Sequence, residues 1–170
     1  MRPDKKDYAP FYAGYVDALA GDNGIEILTA QNLETQELLN SFSESKGNYA
    51  YAEGKWTVKE VVGHLIDAER IFAYRALCIA RGEKQSLPGY DQNEYVKTGN
   101  FNSRELFDLN YEFRLLRESN ILLFRGFDEF MLNKRGVANN FEVTVRALLF
   151  IIAGHEKHHI KILKERYLGN

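Results

Sequence analysis

Cys78 is the only cysteine in the 170 residues, which excludes an internal disulfide and a multi-thiolate zinc site and points to a reducing, cytoplasmic setting. An excess of charge of one sign is missing too. The 22 Lys and Arg stand against 24 Asp and Glu, a net charge of −2, so the basic surplus of a nucleic-acid module is not there. With only 3 Pro, and 45% hydrophobic against 27% charged residues, neither disorder nor a fibrous architecture fits. The longest apolar run, Ala147 to Ala153, is far short of the ~20 residues that a membrane-crossing helix needs. The opening MRPDKKDY is not followed by the apolar stretch of a signal peptide, and no internal repeat or low-complexity tract occurs. The expectation is one globular domain over residues 1–170, with no membrane and no nucleic-acid partner.

What the chain does contain is helical spacing. From Thr57 to Arg81 the apolar residues Val58, Val61, Val62, Leu65, Phe72, Ala76 and Ala80 recur at three-and-four intervals, and Thr57 with Glu60 forms a capping box at the start. A second long helix is predicted from near Asn102 or Ser103, through Leu106, Leu109, Phe113, Leu116 and Ile121, to Gly126. A last one begins at Thr144 and carries Leu148, Ile152, Ile162 and Leu163. Lys161, Lys164 and Arg166 close it, and Gly169 marks its end. Ile25 to Phe42 is amphipathic through Ile27, Leu28, Leu33, Leu38 and Leu39, and Tyr8 to Leu19 predicts a short extra helix. The stretch Glu83 to Phe101 is long for a connection and reads as a crossover. With no two-residue alternation of strand type, the fold class is all-α, a four-helix bundle with a long crossover, whose core is a common place for a metal site.

The four histidines are not scattered: His64 lies in one long helix, and His155, His158 and His159 lie in the last. Leu148, Ile152, His155, His159 and Ile162 advance by four, three, four and three, one helical face on which two imidazoles replace core hydrophobes. At ~1.5 Å rise per residue the pair starts about 6 Å apart along the axis and can converge on one ion. A cation satisfies two buried ring nitrogens at once, whereas metal-free core histidines need separate polar partners. His64, on the flank of its own apolar stripe, supplies a third ligand and leaves open positions, as in catalytic zinc sites. The string HEKHH also matches the zinc-protease pattern, but only 11 residues follow His159. They hold no further histidine, and Glu165 faces about 120° away. A di-iron bundle needs a second Glu-x-x-His unit, which is missing. His158, about 100° around from His159, is left out of the ligand set. Asp67 is a candidate to orient His64, and Glu156 reads as a proton shuttle or a surface charge. Arg70, Tyr74 and Arg146 are candidates to hold an anionic group.

Through KWTVKEVVGHLIDAER, RALLFIIAGHEKHHIKILKERYL and the intervening PGYDQNEY, the chain resembles the DinB/YfiT-like family of proteins read as metal-dependent enzymes, over about residues 24 to 168. The resemblance implies a four-helix bundle with a crossover, a homodimer, and a metal on His64, His155 and His159. It implies a small-molecule substrate, with a low-molecular-weight thiol used in a transferase or isomerase reaction, or else hydrolysis. Imidazole ligands suit a divalent ion, zinc or nickel before iron or copper. A noncatalytic bundle that binds a metal or ligand remains the alternative. Metal occupancy is expected to fall as pH drops through ~6.5, where free imidazoles protonate.

Overall fold

The computed structural model describes residues 1–168, so Gly169 lies outside the described residues. In chain order the helices are α1 (Ala13–Asp17), α2 (Gly24–Asn40), α3 (Glu44–Gly47), α4 (Val58–Arg81), α5 (Gln92–Thr98), α6 (Leu106–Arg125), α7 (Glu129–Leu132) and α8 (Val145–Arg166). α2, α4, α6 and α8 form the four-helix bundle. The capping box of α4 is present: the Glu60 N–H donates to Thr57 Oγ1 (3.1 Å) and the Thr57 N–H to Glu60 Oε2 (2.8 Å). Thr144 caps α8 by accepting from the Ala147 N–H.

Helix α6 starts later than its sequence predicts, because Asn102 and Ser103 belong to a separate 3-10 turn, Phe101–Ser103. The Asn102 amide is spent on α4: it donates to Glu60 Oε1 (3.0 Å) and accepts from Thr57 Oγ1 (2.7 Å). A residue suited to cap its own helix instead fastens the end of the crossover to the start of another.

Helices α4 and α8 are antiparallel: the Tyr167 hydroxyl donates to the Trp56 carbonyl at one end, and Gly136, just before α8, packs on Ile79 at the other. Helices α4 and α6 are parallel neighbours, joined by Asn102 near their starts and by the Arg81–Met131 contact near their ends. Parallel neighbours cannot be linked by a tight turn, and residues 82–105, with α5 among them, make the long return.

A β-hairpin goes beyond the purely helical expectation. β1 (Arg135–Ala138) and β2 (Phe141–Thr144) pair antiparallel around Asn139 and Asn140, both with positive φ (51° and 65°). Such a two-residue turn needs left-handed backbone at both positions, which asparagine tolerates. Four residues per strand are too few for an alternation to stand out; the Asn-Asn pair was the readable signal. The crossover is pinned to this hairpin, as the Leu87 N–H donates to the Val137 carbonyl and the Leu87 carbonyl accepts from the Asn139 N–H.

The apolar core falls into two parts, one around Phe72, Phe124 and Phe150, the other around Leu65, Phe113 and Leu163. A polar layer lies between them. At its centre Arg117 of α6 is fully buried, with Nε and Nη2 on the two Glu69 oxygens of α4 (2.8 and 2.6 Å) and Nη1 on Glu156 Oε2 of α8 (2.6 Å). The Thr35 hydroxyl of α2 donates to Glu156 Oε1 (2.6 Å) and the Asn120 amide to Glu69 Oε1 (3.1 Å), so one network touches all four long helices. Glu156 is therefore not a surface charge. Burial raises its carboxyl pKa, against the pull of Arg117 and the Thr35 hydroxyl. Burial by itself lowers the Arg117 pKa; the two carboxylates more than offset it, so the net shift is upward. This network explains why Leu33, predicted for the apolar stripe of α2, is 69% exposed. Thr35 lies on the face of Leu28 and Leu39, whereas Leu33 is turned about 140° from Leu28.

Removing the cation leaves two carboxylates buried against each other. Arg117→Met is expected to cost about 3–5 kcal/mol at neutral pH. Part of that loss should return as pH falls and the orphaned carboxyls protonate, which chemical denaturation at pH 7.5 and 5 measures.

Candidate metal centre

The polar layer also contains the histidines. His64 projects from the second turn of α4 and His155 and His159 from the middle of antiparallel α8, and one nitrogen from each lies within 4.8 Å of the other two. His64 and His155 are buried, at 1% and 7% exposure, and His159 is half-buried. The Nε2 atoms of His64 and His155 stand 3.0 Å apart. At metal–nitrogen distances of ~2.0–2.1 Å, neighbouring ligand nitrogens are about 3 to 3.4 Å apart, so this pair is already at ligand spacing. Two neutral rings alone can share one N–H···N bond only as donor and acceptor, whereas a cation takes the lone pair of both.

The electrostatics keep those lone pairs free. Burial lowers the His64 pKa to about 4 and, with the neighbouring imidazoles adding to it, the His159 pKa to about 3. His155 is pushed well below the ordinary value, first by burial and then by the other three histidines. Three neutral imidazoles from two antiparallel helices are a donor set that fits a divalent ion.

Aromatic rings hold the imidazoles in place. Trp56 packs on His64 (4.8 Å between centroids) and lies stacked over His159 (6.3 Å), while Tyr15 and Phe72 meet His155 edge-on at 5.5 and 5.9 Å. Among the described residues no hydrogen bond joins Asp67 to His64. Packing, not that carboxylate, orients the ring. Two glycines allow these approaches: a Cβ on Gly63 would come within 2.3 Å of the Phe101 ring, and one on Gly154 within 2.2 Å of the Tyr15 carbonyl oxygen. Both sit immediately before a clustered histidine, in the strings VGH and AGH, a signal that sequence reading passed over. Trp56, directly before the cap of α4, was likewise legible as a helix-start residue but not as a wall of the site.

The remaining sequence candidates lie elsewhere. His158 is exposed and packs on Tyr15, outside the cluster. Glu165 is exposed and pairs with Lys161. Arg70 is bound to Glu112 (2.6 Å) at the surface, Tyr74 is 58% exposed, and Arg146 is tied to Glu129 and Asn133. A cavity of about 880 Å³ runs along α1, α2 and α8. Tyr15 and His158 line it but none of the three clustered histidines does, so Tyr15 is the wall between this cavity and His155.

Fold and site can now be set beside known proteins. A putative metal-dependent hydrolase of Oceanobacillus iheyensis is 22% identical over 140 residues, covering 75% of this chain and 74% of that protein. Among solved structures, YfiT from Bacillus subtilis, described as a probable metal-dependent hydrolase with an unusual four-helix bundle topology, superposes with a TM-score of 0.77 at 17% identity. That likeness covers 97% of this chain and 90% of YfiT. A mycothiol-dependent maleylpyruvate isomerase superposes with a TM-score of 0.69 at 11% identity, over 90% of this chain and 62% of the isomerase. These structural likenesses show a shared fold. The sequence pattern of the DinB superfamily matches residues 27–163, from α2 into the last turns of α8, and by that match the chain belongs to the DinB superfamily.

Proposed function

We propose that His64, His155 and His159 hold a divalent metal ion and that the protein is a metal-dependent enzyme acting on a small molecule, by transfer of a thiol or by hydrolysis. The observation that carries this reading is the convergence of three neutral imidazole nitrogens within 4.8 Å from two different helices. A divalent ion on three neutral ligands keeps its full charge and supplies Lewis acidity, lowering the pKa of a thiol or water. The chain's own residues do the rest. Trp56, Tyr15 and Phe72 exclude water and fix the rings, and the buried Arg117 network sets the rotation of α8 that aims His155 and His159 at α4. Thiol transfer is preferred because relatives of this fold include a thiol-dependent isomerase; zinc or nickel is the preferred ion. A homodimer in the cytoplasm belongs to the same proposal. Among the described residues no helix is long and apolar enough to cross a membrane.

The burial of His64 and His155 favours a second reading, in which the ion is structural and staples α4 to α8. Cobalt-substituted protein separates the two. A thiolate charge-transfer band on adding a small thiol is expected of the enzyme, and an unchanged spectrum is expected of a closed structural centre.

Metal content of untagged protein is expected to be near one ion per chain, and to be lost in His64→Ala, His155→Ala and His159→Ala. Unchanged content in these variants would defeat the ligand assignment. The pH dependence follows from the lowered pKa values. Unfolded histidines take up protons near ~6.5, while the folded rings refuse them down to about 4 and about 3. The unfolded state of the metal-free protein thus binds more protons below ~6.5, and stability, complete above that pH, is lost as pH falls. The loss is up to about 2 kcal/mol per ring between pH 7 and 5, and denaturant titrations of chelator-treated protein measure it. For the same reason protons compete with the metal less than at free imidazoles, which moves the fall in occupancy that the sequence places near pH ~6.5 to lower pH, and the ion is expected to survive dialysis at pH 5.5.

A further inference from the structure

Three arginines are buried: Arg75, Arg117 and Arg146. Arg117 has two carboxylates and Arg146 has Glu129. Arg75, at 3% exposure, has no carboxylate within ion-pair distance among the described residues. Its Nη2 donates to the Pro88 carbonyl (2.6 Å), Tyr12 lines the same small cavity, and its guanidinium lies 5.9 Å from the Phe72 ring. Glu142 edges the small cavity beside it, but that carboxylate is 68% exposed and turned to Arg135 (3.5 Å). A buried guanidinium without a counter-ion is costly, and one carbonyl occupies only part of its five N–H donors.

The position of Arg75 is informative. It follows His64 by eleven residues, which on a helix is about 20° off the same face, three turns on. Side chains on a helix tilt toward its N-terminus, so Arg75 leans back toward His64. One aromatic ring touches both it and the cluster: Phe72 lies 5.9 Å from the Arg75 guanidinium and 5.9 Å from the His155 ring. Tyr12 packs on that same ring (6.0 Å).

We propose that Arg75, with Tyr12 beside it on the same small cavity, is a subsite for the carboxylate of a small organic acid whose reacting end lies at the three histidines. A carboxylate brings one negative charge and a planar pair of acceptors to a planar fork of donors, which is the match a lone buried arginine makes best. The inference deepens the proposed function by naming the substrate class. It rests on that reading only for where the reacting end lies; the anion subsite itself belongs to Arg75.

The test is calorimetric titration of succinate into metal-free protein and again into zinc-loaded protein, with succinamide and inorganic phosphate as comparison probes. Succinate is expected to bind the metal-free protein, succinamide not to bind, and phosphate to bind at least about tenfold more weakly. Arg75→Met is expected to abolish succinate binding while Tm holds or rises, because it removes a buried charge that has no partner. Arg75→Lys keeps the charge but not the fork, and is expected to weaken binding at least about tenfold. The proposal is overturned if the wild-type protein does not bind succinate, if Arg75→Lys binds it equally well, or if phosphate binds as tightly. It is also overturned if Arg75→Met lowers Tm with binding intact, the mark of a residue that only ties the crossover to α4. Succinate binding in a protein that takes up no zinc would sink the metal reading and leave this one standing, and zinc uptake without succinate binding would do the reverse.

Discussion

A single guanidinium sits where the four long helices meet. Arg117 is fully buried, and its three nitrogens are engaged by carboxylates from α4 and α8, one of which also takes a hydroxyl from α2. A buried ion pair contributes little net stability, because desolvation takes back most of what attraction supplies. It does penalise alternatives: any helix rotation or slip that moves Glu69, Glu156 or Thr35 leaves a charge or a polar group unpaired in a dry core. The network therefore acts mainly on register. Apolar packing above and below it tolerates small shifts far more readily.

Register is what the histidine cluster needs. Glu156 is the residue next to His155, so the ion pair that fixes one fixes the direction of the other. With Glu156 drawn to α6, the adjacent position, about 100° around the helix, faces α4, and His159 follows one turn later on the same side. Antiparallel packing of α8 on α4 then brings His64 level with both. The glycines before His64 and His155 let Phe101 and the backbone of Tyr15 press close, so the rings sit among aromatics in a site dry enough to keep them neutral. Stability and ligand readiness are thus linked: the burial that withholds protons from the imidazoles is the condition that makes them good donors.

The likeness to metal-dependent proteins of the same fold and the three-histidine cluster support a divalent ion. Both nucleophiles considered, thiol and water, need the same Lewis acid, so the ligand set does not choose between them. What surrounds the histidines is aromatic, Trp56, Tyr15 and Phe72, and the buried Arg75 guanidinium lies 5.9 Å from the Phe72 ring.

Much of this was legible in the chain. The helices were readable from three-and-four spacing and from Thr57, Thr144 and Gly126 at their ends, since caps and amphipathic faces are local properties. The two-histidine face of α8 was readable for the same reason. The hairpin at Asn139 and Asn140 was not, being too short for a period to emerge, and Asn102 misled because a side chain fit to cap its own helix found better partners across the bundle. Glu156 misled most: in the string HEKHH it reads as surface charge or chemistry, and only the arrival of Arg117 from another helix draws it into a buried ion pair. The sequence alone determined where α4 and α8 begin and most of which faces are apolar, through energies that act within a turn or two. Which polar residues meet in the core, Arg117 with Glu69 and Glu156, His64 with His155 and His159, depends on how helices distant in sequence are oriented. Only the tertiary structure decided it, because the desolvation that forces those pairings does not exist until the bundle closes.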